Sequence, residues 1–465
     1  MRVNPSQEIP TRDKLKGSIP PGPIGGNIVS NLISFRNKGM IEYFMEAWQT
    51  YGDIVRFQMG PIENYLITKP DDIHYVLVKN HENYTKGVSM KKLKLSLGEG
   101  LFASEGSIWK RQRQIMQPLF TPRSVNSFAG MMVEDIEAML QRWEKPTDSR
   151  TPVDINQEMM RLAMGIIGRT MFNISIDQEA MQAASAFAYV LEFVSQQTIR
   201  FVDIPMFIPT QANRRFNASM RILDEFIYNI IAKRRQDLDA NQQNDLLALL
   251  MRARDPETGE PMSDKQLRDE VITIFFAGHE TTAQALTWTL FLLAQHPQEE
   301  AKLHTELDKT LYGHTPHIEE LELLPYTRMV IDESMRLYPP ILLFARETLE
   351  PDTIDGYHIP AGAMITLSQY ITHRHPDYWE QPEAFNPENF TPERMAKRPR
   401  YAYFPFGGGQ RICIGNNFAL LEMALALSMI GQRFQLRLVP GQNIQPRMVG
   451  TLRPNAPVMM TLEHR

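Results

Sequence analysis

The chain has 465 residues, 43% of them hydrophobic and 22% charged, with a formal net charge of −5; this is the make-up of a folded globular protein and excludes a disordered or collagen-like chain. The slight acidic excess argues against nucleic acid as a partner and supplies no polybasic signal for an anionic membrane. With Cys413 the sole cysteine, an internal disulfide and the multi-thiolate zinc and iron–sulfur sites are excluded as well.

The N-terminal stretch MRVNPSQEIPTRDKLKG holds no apolar run of signal-peptide length. No later stretch has the ~18 apolar residues that span a bilayer. A cytoplasmic protein without a membrane anchor is expected. Residues 1–25 read as a Pro/Gly-rich lead-in, because the prolines and glycines of GSIPPGPIGG (17–26) interrupt regular structure. Two strands follow, Ile54–Phe57 and Asn64–Thr68, bounded by Gly52, Gly60, Pro61 and Pro70. From about residue 107 to 350 the pattern is mostly helical.

Within it a helix is expected over Asp264–Gln295. Ser263 and Gln266 have capping-box spacing, and Pro297 stops the run. At ~1.5 Å per residue this helix is ~45–50 Å long. It is apolar nearly all round from Val271 to Gly278, so it belongs at the centre of the molecule. A second helix, Tyr326–Leu337, ends at Pro339-Pro340, and a third begins after Gly415. Strands near both ends of a helical body, without strand–helix alternation, give an α+β, mostly α-helical class. Length alone would admit about three domains; a single domain over residues 1–465 is expected.

Four segments bear chemistry. The first is Ala277-Gly278-His279-Glu280-Thr281-Thr282, inside the long helix. Glycine there costs ~1 kcal/mol against alanine, and polar groups in an apolar helix cost more unless paired. Either these groups face solvent or bond back to the preceding turn, or the helix widens against a ligand and offers an acid and an alcohol for proton delivery. The second is Phe406-Gly407-Gly408-Gly409-Gln410-Arg411-Ile412-Cys413-Ile414-Gly415. Its glycines permit positive φ and close backbone approach, and the following helix N-terminus is expected to lower the Cys413 pKa. A phosphate loop competes with this reading but fails, because no Lys-Ser/Thr follows the glycines. The third is Glu333 with Arg336, which pair at i, i+3 and taken alone suit a solvated surface. The fourth is Trp109 with Arg113, at i and i+4. They are two donors able to hold a carboxylate, or a packed indole beside a solvated guanidinium.

Taken together and in this order, W-x-x-x-R, A-G-x-E-T-T, E-x-x-R and F-x-x-G-x-R-x-C-x-G make the chain resemble the cytochrome P450 (haem-thiolate) family from about residue 20 to its end. In that family a Cys thiolate holds haem iron and pushes electron density toward O–O cleavage. The resemblance implies the P450 fold, with a long central helix over the haem and small β-sheets near the N-terminal and C-terminal parts. It implies haem b, with Cys413 as the axial iron ligand, Gly409 and Gly415 shaping the loop, and Phe406 near the sulfur. It implies Trp109, Arg113, Arg346 and Arg411 on the propionates, and Ala277 and Gly278 at the oxygen-binding face. Glu280 and Thr281 would be the acid–alcohol pair, and Glu333 and Arg336 a buried structural pair. Where the family often has P-E-R-F, this chain reads Pro387-Glu388-Asn389-Phe390, which leaves the charge balance around Arg336 open.

The implied activity is that of a monooxygenase. It inserts one atom of O2 into a C–H bond or C=C of an apolar small molecule, such as a fatty acid, terpenoid, retinoid or steroid. NAD(P)H-derived electrons would come from a separate ferredoxin, flavodoxin or reductase, with Lys397, Arg398 and Arg400 as a candidate docking face. The pocket is expected from Leu101, Phe102, the stretch 193–207, Phe275, Phe276 and the run Ile341 to Phe344, which includes Leu343. The likeness is to soluble prokaryotic P450s of the fatty-acid-hydroxylase branch. Alternatives are a peroxygenase or hydroperoxide-rearranging haem enzyme, and a haem-binding protein without turnover. A cysteine hydrolase would need a base near Cys413; the histidines nearest in sequence, His373 and His375, read as ordinary loop residues.

Overall fold

The computed structural model describes residues 18–23, 35, 38–59, 62–87, 89–144, 151–172, 178–199, 205–236 and 245–465. The lead-in at 1–25 lies largely outside the described residues. The chain divides into two compact units, neither of them one continuous segment.

The first unit takes Met1–Val88, Leu343–Tyr378 and Pro399–Ile412. Its sheet has five strands in the order Ile54–Met59, Ile62–Ile67, Met364–Ser368, Leu343–Thr348, Tyr84–Thr85. The first two are the strands expected from sequence and pair antiparallel, Ile54 opposite Ile67. Ile62–Ile67 then runs parallel to Met364–Ser368. Side chains alternate across the strands. Tyr65 and Ile67 pack with Ile73, Leu77, Ile365 and Phe404, and Leu66 packs with Phe44, Val55 and Phe57 on the other face. One carboxylate ties this unit's turns together. Asp53 accepts from Thr68 Oγ1 at 2.7 Å and Trp48 Nε1 at 3.0 Å, and lies 2.9 Å from His375 Nε2. Burial opposes its charge, but the hydrogen bonds from His375, Thr68 and Trp48 win and pull Asp53 down to about 2. His375 is therefore a structural clasp and not an ordinary loop residue.

The second unit takes Ser89–Leu342, Trp379–Arg398 and Cys413–Arg465. It is helical, with a small sheet of Val153–Asp154, Met459–His464 and Phe434–Leu438 and a hairpin of Pro446–Val449 with Thr451–Pro454. The long helix runs Asp264–Gln295, as expected, with the Ser263–Gln266 capping box formed. Two of its buried hydroxyls are satisfied locally: Thr287 and Thr289 donate to the carbonyls four residues back, each at 2.7 Å. Trp288, fully buried, donates to the Leu452 carbonyl at 2.8 Å and stacks on Tyr338. The helix Pro325–Leu337 begins one residue before the sequence expectation. Among the described residues no helix is long and apolar enough to cross a membrane.

In the helix Asn416–Arg433, Glu422 is fully buried and neither carboxylate oxygen has a hydrogen-bond partner among the described residues. Burial, reinforced by Asp135, raises its pKa well above 4.5. The folded state holds this proton while the unfolded chain releases it, so stability is complete below the unfolded value and falls as pH rises toward the folded one, by ~1.4 kcal/mol per pH unit. Glu422→Gln is therefore expected to raise the thermal midpoint at neutral pH. The advantage should shrink as pH is lowered toward 4.5, which melting curves across pH would check.

Candidate active site

Cys413 opens the site. It is a free thiol, exposed, three residues before the helix Asn416–Arg433. The Gly415 amide hydrogen-bonds its sulfur and the Arg113 guanidinium acts on it through space, both favouring thiolate. The protein around the sulfur strips more hydration than these groups restore, so burial pushes the thiol up. The lowering expected from the helix end is thus outweighed by burial. An accessible sulfur with an amide donor and a cation beside it is a donor set that fits a thiolate bound to haem iron, whose own charge would complete the ionisation.

The glycines before the cysteine differ in their reasons. Gly409 has φ +64, and a Cβ there would collide with the Leu77 carbonyl. A Cβ at Gly408 would collide with the Tyr401 ring, whose hydroxyl accepts the Gly409 amide at 3.2 Å. Gly415, by contrast, has φ −88, and a Cβ would meet the Cys413 sulfur at an ordinary 4.0 Å; its contribution is the amide, which any residue but proline would supply. Phe406 and Arg411 are half-buried in this first-unit segment. The backbone leading into it is clamped by two residues that sequence reading missed. Gln369 donates to the carbonyls of Phe404 and Pro405 at 2.8 and 3.0 Å, and His373 Nε2 accepts the Phe404 amide at 3.0 Å. Both are buried, so His373, like His375, is committed to structure. Arg346 donates to the Ala345 carbonyl and lies over the Phe344 ring, 5.0 Å from its centroid. Leu343 and Phe344 are half-buried on the same strand.

Trp109 and Arg113 share one face of the helix Gly106–Met116, both half-buried. Burial draws the Arg113 pKa down while Cys413 holds it up.

The long helix separates its motif residues. Ala277 is exposed and Thr281, one turn on, is half-buried, with its hydroxyl donating to the Ala277 carbonyl at 2.6 Å. Glu280 points elsewhere: its buried carboxylate accepts from Thr451 and Arg453 on the C-terminal hairpin. Gly278 lies close under a neighbour: a Cβ would stand 2.7 Å from Ile167 Cδ1, the mobile end of that side chain. His279 is buried between Phe187 and Phe275, and burial pulls it down to about 4, so it is neutral. Phe275 meets Phe187 edge-on at 4.8 Å, and Phe276 meets Phe102 at 6.1 Å. Leu101 is buried. In the stretch 193–207, Phe193 packs on Phe216 and Phe207 is exposed, while residues 200–204 lie outside the described residues.

Glu333 and Arg336 are fully buried and paired through two 2.7 Å hydrogen bonds. Arg336 also donates to the carbonyls of Pro382 and Ala384, and Glu333 accepts the Asn386 amide and Asn389 Nδ2. Arg394 donates to Asn389 Oδ1 at 3.1 Å. Arg398 stacks on Trp379 at 3.6 Å, and Arg336 lies 4.9 Å from the same ring centroid. Burial lowers Arg398 to about 10, and Glu333 holds it up. The charge that Asn389 lacks is thus supplied from Arg398, nine residues on. Arg398, one of the cations expected on a docking face with Lys397 and Arg400, is half-buried and engaged in this network.

His314, His317 and Glu320 also bring possible metal-binding atoms together at the surface. The His317 ring is engaged there by the Glu320 amide as a helix cap.

The cytochrome P450 family model matches residues 20–462. Cyclooctat-9-en-7-ol 5-monooxygenase of Streptomyces melanosporofaciens is 35% identical over 86% of each chain. Pentalenene oxygenase of Streptomyces avermitilis is 31% identical over 88% of this chain and 90% of its own. The crystal structure of the cytochrome P450DA heme domain superposes with a TM-score of 0.88 at 27% identity, covering 96% of this chain and 97% of that one.

Proposed function

Because the chain belongs to the cytochrome P450 family and is a monooxygenase of that class, we propose that it oxidises a C–H bond or C=C of a terpenoid-like hydrocarbon, with Cys413 binding the haem iron. The observation that carries this reading is the exposed sulfur of the sole cysteine with the Gly415 amide and the Arg113 charge on it. Haem supplies the activation of O2 and the oxidising power. Trp109 and Arg113 would hold propionates by donated hydrogen bonds.

Thr281 is assigned the proton-handling role. Its O–H is given to the Ala277 carbonyl, which leaves the oxygen lone pairs free to accept a proton donor at the exposed Ala277 face. Glu280, tied to Thr451 and Arg453, serves as a fixed charge behind it. Thr281→Ala is expected to raise the peroxide released per electron and to cut product formation by ~10²-fold, with the substrate-induced spectral shift retained. Unchanged coupling between electrons and product would remove the hydroxyl from the mechanism.

The substrate class rests on the uncharged rings of Phe275 and Phe276, which precede Ala277 on the long helix, and of Phe102 against Phe276, which would suit a bulky hydrocarbon, and on the oxidations named for the two Streptomyces relatives. Electrons would come from NAD(P)H through a separate ferredoxin, flavodoxin or reductase. Spectral titration with terpenes, fatty acids, retinoids and steroids, followed by turnover with generic redox partners, tests the reading. Binding and turnover confined to fatty acids would overturn the substrate class.

A further inference from the structure

Two acids of the long helix take no part in this mechanism. Asp269 and Glu270 are both buried. Asp269 Oδ2 accepts the Glu99 amide at 3.0 Å, and Glu270 Oε2 accepts the Leu101 amide at 3.0 Å. Consecutive helix residues thus hold alternate amides of one loop. The loop has the glycines this close approach requires. A Cβ on Gly98, where φ is +59, would strike the Asp269 carboxylate, and one on Gly100 would strike Thr273 Oγ1 and the Asp269 carbonyl. Phe102, two residues past Gly100, is exposed and meets Phe276, the neighbour of exposed Ala277.

The two acids differ in charge. Asp269 is paired with Lys265 and with Arg268, each at 2.9 Å, and Arg268 also binds Asp224 and the Ser96 carbonyl. Glu270 has no ion-pair partner among the described residues. Its Oε1, and Thr273 Oγ1 three residues on, have no hydrogen-bond partner among them. Burial, with Asp269 adjacent, pushes Glu270 up to about 8, so it accepts the Leu101 amide as a neutral acid.

We propose that Asp269 and Glu270 are positioning residues that pin the loop 98–102 to the long helix, so fixing where Phe102 stands against Phe276 and which bulky apolar molecules the site admits. The consequence for substrate rests on the monooxygenase reading; the pinning itself does not. Glu270→Gln keeps a neutral acceptor for the Leu101 amide, and Glu270→Leu removes it. Hydrogen exchange of the full chain is expected to show amides 99–101 opening about tenfold faster in Glu270→Leu and at the wild-type rate in Glu270→Gln. Dissociation constants for a terpene probe, read from the spectral shift, should rise about tenfold in the leucine variant alone, at equal haem content. Gly100→Ala, which pries the loop off from its own side, should reproduce the leucine result should that variant fail to fold. Wild-type exchange in both Glu270→Leu and Gly100→Ala, or faster exchange with unchanged affinity, overturns the proposal. A wild-type protein that binds no haem speaks against the monooxygenase reading instead, and the exchange rates then decide the pinning by themselves.

Discussion

Replacing Cys413 by serine is expected to abolish monooxygenase turnover and the red-shifted Soret band of the reduced carbon monoxide complex. The substitution changes electron donation to the iron and leaves the fold alone. The residue is exposed, so exchanging sulfur for oxygen leaves no cavity in the core. Serine keeps the position at the head of the helix, but its hydroxyl ionises far less readily than a thiol, and the Gly415 amide and the Arg113 charge cannot compensate. The push toward O–O cleavage that a thiolate supplies would be lost. Circular dichroism and the thermal midpoint of the variant should match the wild type, while carbon monoxide difference spectra and product formation fall to background. A serine variant that kept the red-shifted band would place the iron ligand elsewhere.

Removing one member of the Glu333–Arg336 pair is expected to be the most damaging substitution for stability. Both side chains are fully buried. Glu333→Ala would leave the Arg336 guanidinium charged, out of water and short of two hydrogen bonds, and would orphan the Asn386 amide and Asn389 Nδ2. Breaking a buried pair from one side costs ~3–5 kcal/mol, a large share of the ~5–15 kcal/mol that holds a typical domain together. Arg336→Ala should cost a similar amount by stranding the carboxylate. Little soluble protein, or a urea midpoint far below wild type, is expected for each. Asn389→Ala, which removes one 3.1 Å bond to Glu333 and the acceptor of Arg394, should cost only ~1–3 kcal/mol. Equal damage from all three would mean that the charges are not what the network protects.

The parts legible in the sequence were those written in local spacing. The long helix declared itself through its cap residues, its apolar middle and Pro297, and it forms over Asp264–Gln295. The first two strands of the first unit followed from short apolar runs with flanking glycine and proline, but their pairing did not. The glycine run permits positive φ and close backbone approach, and at position 409 both occur. What spacing cannot hold is the partner that arrives from far along the chain. Glu280 looked like a neighbour of Thr281, yet its carboxylate is taken by Thr451 and Arg453. Gly278 read as room for a ligand, and the side chain that stands over it, Ile167, comes from far along the chain. His373 looked idle until the Phe404 amide was found on it. In each case the contact crosses a hundred residues or thirty, and a side chain's direction around the helix or loop decides its use.

The sharing of Trp379 by Arg336 and Arg398 makes positions 389 and 398 a linked pair for anyone recombining P450 genes. Grafting an arginine into position 389 alone would crowd a third guanidinium toward a single acid, whereas moving 389–398 as one cassette keeps the cation count intact. Chimaeras with a crossover inside that segment should express poorly, and those with the junction outside it should not.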